Sequence, residues 1–573
     1  MFNWQAADRP AKYKLFYSNA YILPVILITI VALGLTSFFI LPEPLVFPMG
    51  DSYIHFVYAR NLHQLGEFTF NPGIVEGIGT TSPLWVYILT ALLTIGIPPL
   101  IGARILGIGL LIAVGILCFD LAYILLQRFE SRKRQVMALS AALICVASGN
   151  VVWIALSGME TILFTALGLL TLYAYNRERW LLTGALLGFL ALTRIEGIGL
   201  AAAILVIEIP RNRKLSPQII SMVVAMCLLL IPWVVYLQLR EGVPFPTSYQ
   251  GKRLINEEIA RLINEYNSWM GWIITKPSLF YVMSWMVYTV LYMLGGVSMP
   301  GPAWRSPGFW EGSGLSVPII SIALFIVLIV PLLIKYGVEM WRRKHLIKLS
   351  NPSHRLALVM FVWTLLHNLA YAIFLPQPGA AGRYAPMNHL VFWSGILLLS
   401  LMLPNRFSRV AATSIVILLL ITSLQYWYRV YQANIRFMLN VRIAAAEYVD
   451  RECDPYKSIG TTDLGPLRYY AHQPVVDLLG FVNKDIPRIM DNPGGFPDYL
   501  LKRDVSCLYV SMPVDNIGVD VIDLLKINDD PRFHIQLAAN FAVPIPEWTL
   551  GFSAVSNYMP SISIFRIIPT DVR

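Results

Sequence analysis

The stretch Tyr21–Leu41, YILPVILITIVALGLTSFFIL, runs for 21 residues without a charge. A helix needs roughly 20 apolar residues to cross a bilayer core, so this stretch reads as a membrane span. It is too long for a signal-peptide core and has no small-x-small cleavage site after it, which predicts that it is retained. Met49-Gly50-Asp51-Ser52-Tyr53-Ile54 then sets one carboxylate at the outer mouth of that span, about two turns past its end. Ionisable groups at such depths are costly and are usually kept for function. The chain continues through His55-Phe56-Val57-Tyr58-Ala59-Arg60-Asn61-Leu62, Phe70-Asn71-Pro72-Gly73 and Val75-Glu76-Gly77. This is a richer segment than a connector between two spans requires.

Composition supports the membrane reading independently. Charged residues make up 14% of the chain, against about 25% in soluble domains, and the mean hydropathy is +0.61. The net charge of +10 is uneven. Residues 433–573 hold 13 Lys/Arg against 17 Asp/Glu, whereas residues 1–432 hold 31 against 17. The excess of positive charge lies in short loops between apolar segments, the positive-inside signature, so no nucleic-acid partner is implied.

Those loops predict the topology. Arg9, Lys12 and Lys14 place the N-terminus in the cytoplasm. Arg128 with Arg132-Lys133-Arg134, Arg177 with Arg179, Arg211 with Arg213 and Lys214, Lys335 with Arg342-Arg343-Lys344, and Arg406 with Arg409 are expected on the same side. Leu100–Gln127, Ala138–Trp153, Thr161–Tyr175, the hairpin Trp180–Thr193 and Gly197–Ile209, Ile219–Leu237, Leu315–Ile334, Leu356–Phe374, Leu390–Leu403 and Ala411–Tyr426 complete about eleven crossings. Pro83–Ile97 is read as an interfacial helix with Trp85 and Tyr87 as anchors, and Tyr281–Leu294 as interfacial or re-entrant. The fold expected is therefore a polytopic α-helical membrane protein of the plasma (inner) membrane.

From about Asn434 the pattern changes. Short apolar runs, Lys457–Gly460, Pro474–Leu478 and Cys507–Ser511, alternate with turn residues and with helical stretches Asn440–Asp450 and Asp515–Lys526. Residues 433–573 thus read as an extracytoplasmic α/β domain after a transmembrane domain over residues 1–432. Cys118, Cys145 and Cys227 fall in spans and read as small buried apolar residues. Cys453 and Cys507 share the outward domain, where an oxidising compartment permits a bridge, but the sequence leaves their pairing open.

On this topology several polar motifs share the outer face. Asp51, Arg60 and Glu76 come from the first loop, and Ser157-Gly158-Met159-Glu160-Thr161 from a turn. Leu192-Thr193-Arg194-Ile195-Glu196-Gly197 caps the short hairpin. Pro244–Lys252 follows a span, and Gln377-Pro378-Gly379-Ala380-Ala381-Gly382-Arg383-Tyr384 opens another. Taken singly, each has a plain structural explanation as a helix break or a snorkelling cation. Together they put Arg194, Lys252 and Arg383 on the face where positive-inside statistics disfavour basic residues. A bound phosphate accounts for three cations there.

The first loop, from Gly50-Asp51-Ser52-Tyr53-Ile54 through Asn71-Pro72-Gly73 and Glu76-Gly77 to Ser82-Pro83-Leu84-Trp85, resembles the start of GT-C glycosyltransferases. These polytopic enzymes use polyprenyl-phosphate-linked sugars; among them are protein O-mannosyltransferases, lipid A aminoarabinose transferases and mycobacterial arabinofuranosyltransferases. The resemblance extends in order through Ser157–Thr161, Leu192–Gly197, the Pro-Thr-x-Tyr-x-x-Lys run ending at Lys252, and Gly382-Arg383-Tyr384. Asp463-Leu464-Gly465 and Asp477-Leu478-Leu479-Gly480 look like the outward domain of the arabinofuranosyltransferase-like branch. Where members often carry two adjacent acids, Gly50 here precedes a lone Asp51, which argues against an obligatory metal or other cofactor.

The resemblance implies transfer of a sugar from a polyprenyl-phosphate donor to a hydroxyl on a glycan, lipid or protein, among membrane lipids. The donor already carries a good leaving group, so one base suffices where glycoside hydrolysis needs two carboxyl roles. Asp51 is the expected base; Arg194, Lys252 and Arg383 would hold the phosphate as charge builds on it. Glu76, Glu160, Glu196, Arg60, Tyr249 and Tyr384 are expected to bind sugar or acceptor or to support the cations. Glu196 reads equally well as an ion-pair partner of Arg194. A transporter or lipid flippase is the alternative, but the sequence shows no internal repeat and its charges cluster at one face instead of the midplane. A non-catalytic scaffold would leave Asp51 and the three cations unexplained.

Overall fold

The computed structural model describes residues 19–41, 44–74, 76–212, 215–249, 251, 349–374, 379–490, 495–512, 527, 530–543 and 561–570. The uncharged stretch forms α1 (Asn19–Ile40). The segment carrying Asp51, read from sequence as an elaborate loop, opens as a helix, α2 (Gly50–Leu65). His55, Phe56, Tyr58 and Ala59 of α2 are buried, so packing and not solvation fixes its conformation. Next come α3 (Pro83–Thr94) and α4 (Pro99–Leu125). Each begins at a proline, whose missing N–H costs nothing in the first turn.

A 62° bend separates α5 (Ser131–Val146) from α6 (Gly149–Ala155), breaking the outward stretch expected over Ala138–Trp153. Then follow α7 (Thr161–Asn176), α8 (Trp180–Thr193), α9 (Ile198–Asn212) and α10 (Pro217–Glu241). After the intervening residues come α11 (Pro352–Phe374), α12 (Pro386–Leu401) and α13 (Arg406–Phe437). Among the described residues, five helices are long and apolar enough to cross a membrane, or six if the bent pair is one span; α3, α7, α8 and α12 are apolar but shorter. The expected segments Tyr281–Leu294, Leu315–Ile334 and Asp515–Lys526 lie outside the described residues.

The two ends of the bundle differ chemically. At one end the basic loops meet. Ser353 Oγ donates to the Ile124 carbonyl at 3.0 Å, Arg128 lies 3.5 Å from Met402 Sδ, and Arg355 pairs with Glu178 at 2.9 Å. At the other end Trp85 Nε1 donates to the Gly158 carbonyl at 3.1 Å, and Arg104 to Tyr431 Oη at 2.9 Å. There the mixed acidic and basic motifs come together.

The C-terminal region is not hung on a linker. α13 passes through a wider turn, Met438–Ile443, directly into α14 (Ala444–Glu452), so position 432 falls within continuous helix. A five-stranded mixed sheet follows, in the order β2-β1-β3-β5-β4. β1 (Ser458–Thr461) runs parallel to β2 (Val475–Asp477) and β3 (Val505–Met512). β4 (Phe533–Ala542) and β5 (Ser561–Pro569) close the edge antiparallel. Cys453 and Cys507, left open by the sequence, form a disulfide with Cα atoms 6.3 Å apart. α15 (Leu464–Tyr470) packs along α2. Its approach is close: a Cβ on Gly465 would stand 2.0 Å from the Gly50 carbonyl oxygen.

Candidate active site

Asp51 lies in the first turn of α2, where the helix dipole favours a negative charge by about 0.3–1 kcal/mol. The approach to it is held from several sides. Arg104 donates to the Val46 carbonyl at 2.8 Å and covers the Phe47 ring, while the Phe47 N–H donates to Tyr53 Oη at 3.2 Å. Arg383 Nη2 lies 2.5 Å from Asp51 Oδ2, and Nη1 lies 3.4 Å from Met49 Sδ. The pair is asymmetric: the Arg383 side chain is 8% exposed and that of Asp51 41%. Ala381, two residues before Arg383, has a φ of 55°. A β-carbon in this left-handed region costs roughly 1–2 kcal/mol, strain of a kind that gathers at functional loops.

Behind Arg383 lies a second, deeper cluster. Arg194, at the break between α8 and α9, donates to Glu160 at 3.0 Å, to Glu196 at 3.2 Å and to Tyr371 Oη at 2.8 Å. Tyr371 also hydrogen-bonds Glu196 and stacks on Tyr384, their ring centres 5.4 Å apart. Tyr384 lies under both guanidinium groups, 4.8 Å from that of Arg194 and 5.1 Å from that of Arg383. His55 Nε2 approaches Glu160 at 3.3 Å, and its Nδ1 lies 2.9 Å from Thr80 Oγ1. Burial would push the Glu160 carboxyl up, but the His55 hydrogen bond and the Arg194 and Arg383 charges outweigh it and bring it down to about 2. Glu160 is therefore a fixed negative charge and not a proton carrier near neutral pH.

Of the residues singled out from sequence, Asp51, Glu160, Arg194, Glu196, Arg383 and Tyr384 join one network of contacts. Arg60 and Glu76 stand apart and knit the first loop to the C-terminal domain. Arg60 donates to the carbonyls of Arg468 and Tyr469, both at 3.1 Å. Glu76 accepts from Asn71 at 2.7 Å, and Asn71 also donates to the Val475 carbonyl at 2.7 Å. Tyr249 is partly exposed and stacks on Phe245. Lys252 lies outside the described residues; its neighbour Gly251 sits against the backbone of Gly480.

His55 and Tyr371 belong to the network but were not legible as site residues. The signal for His55 was its place four residues after Asp51, one helical turn along the same face, which is visible only once the loop is read as a helix. Tyr371 carries a polar end inside an apolar span, a weak signal by itself. Among the described residues no three His, Cys, Asp or Glu side chains group as metal ligands do.

Fold and site together define a polytopic membrane protein with a paired carboxylate and guanidinium at the rim of a buried ionic cluster. Residues 425–558 match the family described as a domain of unknown function, DUF8728. No curated protein matches the sequence. Among solved structures, the chain is similar to ArnT from Cupriavidus metallidurans bound to undecaprenyl phosphate. The identity is 13% over 94% of this chain and 97% of that one, with a TM-score of 0.46. The apo state of ArnT gives 12% identity over 96% and 98%, with a TM-score of 0.47. Archaeal oligosaccharyltransferase AglB from Archaeoglobus fulgidus, in complex with an inhibitory peptide and a dolichol-phosphate, gives 11% identity over 87% and 70%, with a TM-score of 0.45.

Proposed function

We propose that this protein is an inverting, GT-C-type glycosyltransferase. In this reading it moves a sugar from a polyprenyl-phosphate donor to a hydroxyl of a glycan, lipid or protein on the outer face of the plasma (inner) membrane. About eleven crossings, a cytoplasmic N-terminus and an extracytoplasmic C-terminal domain belong to the same reading. The Cys453–Cys507 bridge supports that orientation, since disulfides persist in oxidising compartments.

The observation that carries the proposal is the Asp51–Arg383 pair at the rim of the buried cluster. With no donor present, Arg383 neutralises Asp51 and lowers its affinity for a proton. A phosphate engaging the guanidinium fork takes over that charge, and Asp51 is then free to accept the proton of the attacking hydroxyl. Attack opposite the departing phosphate inverts the anomeric carbon. Arg194, whose charge Glu160 and Glu196 already balance, instead holds Tyr371 and the Tyr384 ring beneath Arg383. Lys252 is assigned as a second direct phosphate ligand, and no metal is required.

A transporter or flippase remains the competing class, but the charged network gathers at one end of the bundle instead of its middle, which favours group transfer. The test is turnover of a labelled polyprenyl-phosphate sugar by purified variants. Asp51→Asn is expected to lower the rate roughly a hundredfold to ten-thousandfold, the range for removing a positioned base, with the protein still folded. Wild-type turnover by that variant rules out Asp51 as the base.

A further inference from the structure

In sequence Asp51 stands alone; in space it does not. A Cβ built on Gly50 would lie 3.3 Å from Asp463 Oδ1 and 2.8 Å from Arg442 Nη1. The space that a side chain at position 50 would fill is thus taken by an acid and a cation from the C-terminal region. Arg442, from the wide turn after α13, holds Asp463 at 2.6 Å and is almost wholly buried, and its Nη1 has no hydrogen-bond partner among the described residues. Asp463 sits just before α15, the helix that packs on α2. Two carboxylate–guanidinium pairs, Asp51–Arg383 and Asp463–Arg442, therefore lie side by side, one from each part of the chain.

We infer that Asp463 is a second acidic residue of the transfer site, a positioning residue delivered by the C-terminal domain that sets the charge state of Asp51. The inference rests on the glycosyltransfer reading for its consequence but not for its geometry. A like charge nearby makes a carboxylate a stronger base, so Asp463 counteracts the weakening that Arg383 imposes on Asp51. Burial pushes the Asp463 carboxyl above its usual range; Arg442 draws it down and Asp51 raises it, which is the coupling the assignment needs. Among the described residues, the charged groups near the turn at 50 and 51 include Arg383 from the loop before α12, Arg442 from the wide turn and Asp463. His55 and Glu160 stand behind Arg383. Gly50 is then a requirement of the site: a side chain there would displace this second pair.

The experiment uses the full-length protein in detergent or lipid discs. Asp463→Asn should lower kcat/KM about tenfold or more at neutral pH. It should also move the acid limb of the pH profile down by about one unit, because Asp51 loses a like charge and faces an unpaired Arg442. The double variant Gly50→Asp, Asp463→Gly returns a carboxylate to the same space and should recover most of both effects. Carbodiimide labelling of Asp51, mapped by peptide mass spectrometry across pH, reads its ionisation without turnover and should shift in the same direction. An unmoved acid limb and unmoved labelling overturn the inference, as does an activity loss no larger than the loss of folded protein. If the wild type transfers no sugar, the glycosyltransfer reading falls, while the labelling still decides whether Asp463 governs Asp51.

Discussion

Arg383 and Arg194 are both buried guanidinium groups over the same tyrosine, yet their substitution should cost different things. Arg383 partners a half-exposed carboxylate, so Arg383→Ala leaves no buried charge stranded and should cost less stability than a change in the deeper cluster, while sharply weakening use of the donor. Arg383→Lys should rescue only part of that, since an ammonium lacks the planar fork. Glu160 is fully buried between Arg194 and His55, and Glu160→Gln removes one of the two carboxylates on Arg194 and weakens its charge-assisted hydrogen bond, a change that typically costs about 1.5–3 kcal/mol. Chemical denaturation alongside donor turnover separates the two: Arg383 variants fail in activity first, Glu160 variants in folding first. If Glu160→Gln keeps wild-type stability, the buried triad is not the scaffold described here. At this scale Asp51, Arg194 and Arg383 were legible because a charge beside a long apolar segment stands out. Asp463 stood in a quoted motif but not as a site residue, because nothing local reveals that it fills the space beside Gly50.

The join between the first loop and the C-terminal domain depends on pH through Glu76. Burial is the main cause that raises its carboxyl from the ordinary 4.5 to about 7, against the hydrogen bond from Asn71. A raised carboxylate binds its proton more tightly in the folded state. Its contribution is therefore intact below about pH 4.5 and is lost as pH rises through about 7. Complete ionisation costs on the order of 3 kcal/mol. Glu76→Gln keeps the acceptor for Asn71 and removes the charge, so melting should be unchanged near pH 4.5 and several degrees higher than wild type at pH 8. An equal or lower melting temperature at pH 8 contradicts this account of the join. The five long apolar helices among the described residues were legible because apolar length alone defines them, and β1, β2 and β3 because short apolar runs sit between turn residues. α2 was missed because its buried face is made of Ser, Tyr, His and Asn as well as apolar residues, which masks helical periodicity. β4 went unread because, as the outer strand, it mixes polar and apolar residues without clean alternation, and β5 because it is paired on both sides with Ile562, Ser563 and Ile564 buried in succession, which alternation does not reveal.

Across the whole molecule, the separation of basic loops from the mixed cluster makes orientation the next question. With Cys118, Cys145 and Cys227 replaced, a membrane-impermeant thiol reagent on intact cells should label Tyr456→Cys, which is 93% exposed. It should spare Arg132→Cys at the basic end. The reverse pattern would place the cluster on the cytoplasmic side and away from the expected site of transfer. The continuous helix from α13 into α14 and the packing of α15 on α2 make the C-terminal domain part of the same framework as Asp51, which the change in composition near Asn434 gave no hint of. The central claim is group transfer from a lipid phosphate, and its most direct measurement is purified protein incubated with a polyprenyl-phosphate-linked sugar and a hydroxyl acceptor. The account predicts one free polyprenyl phosphate for each glycosylated acceptor, inverted anomeric configuration, and loss of both products in Asp51→Asn. No release of polyprenyl phosphate across donors of this class, together with ion-gradient-driven solute uptake in vesicles, would contradict it.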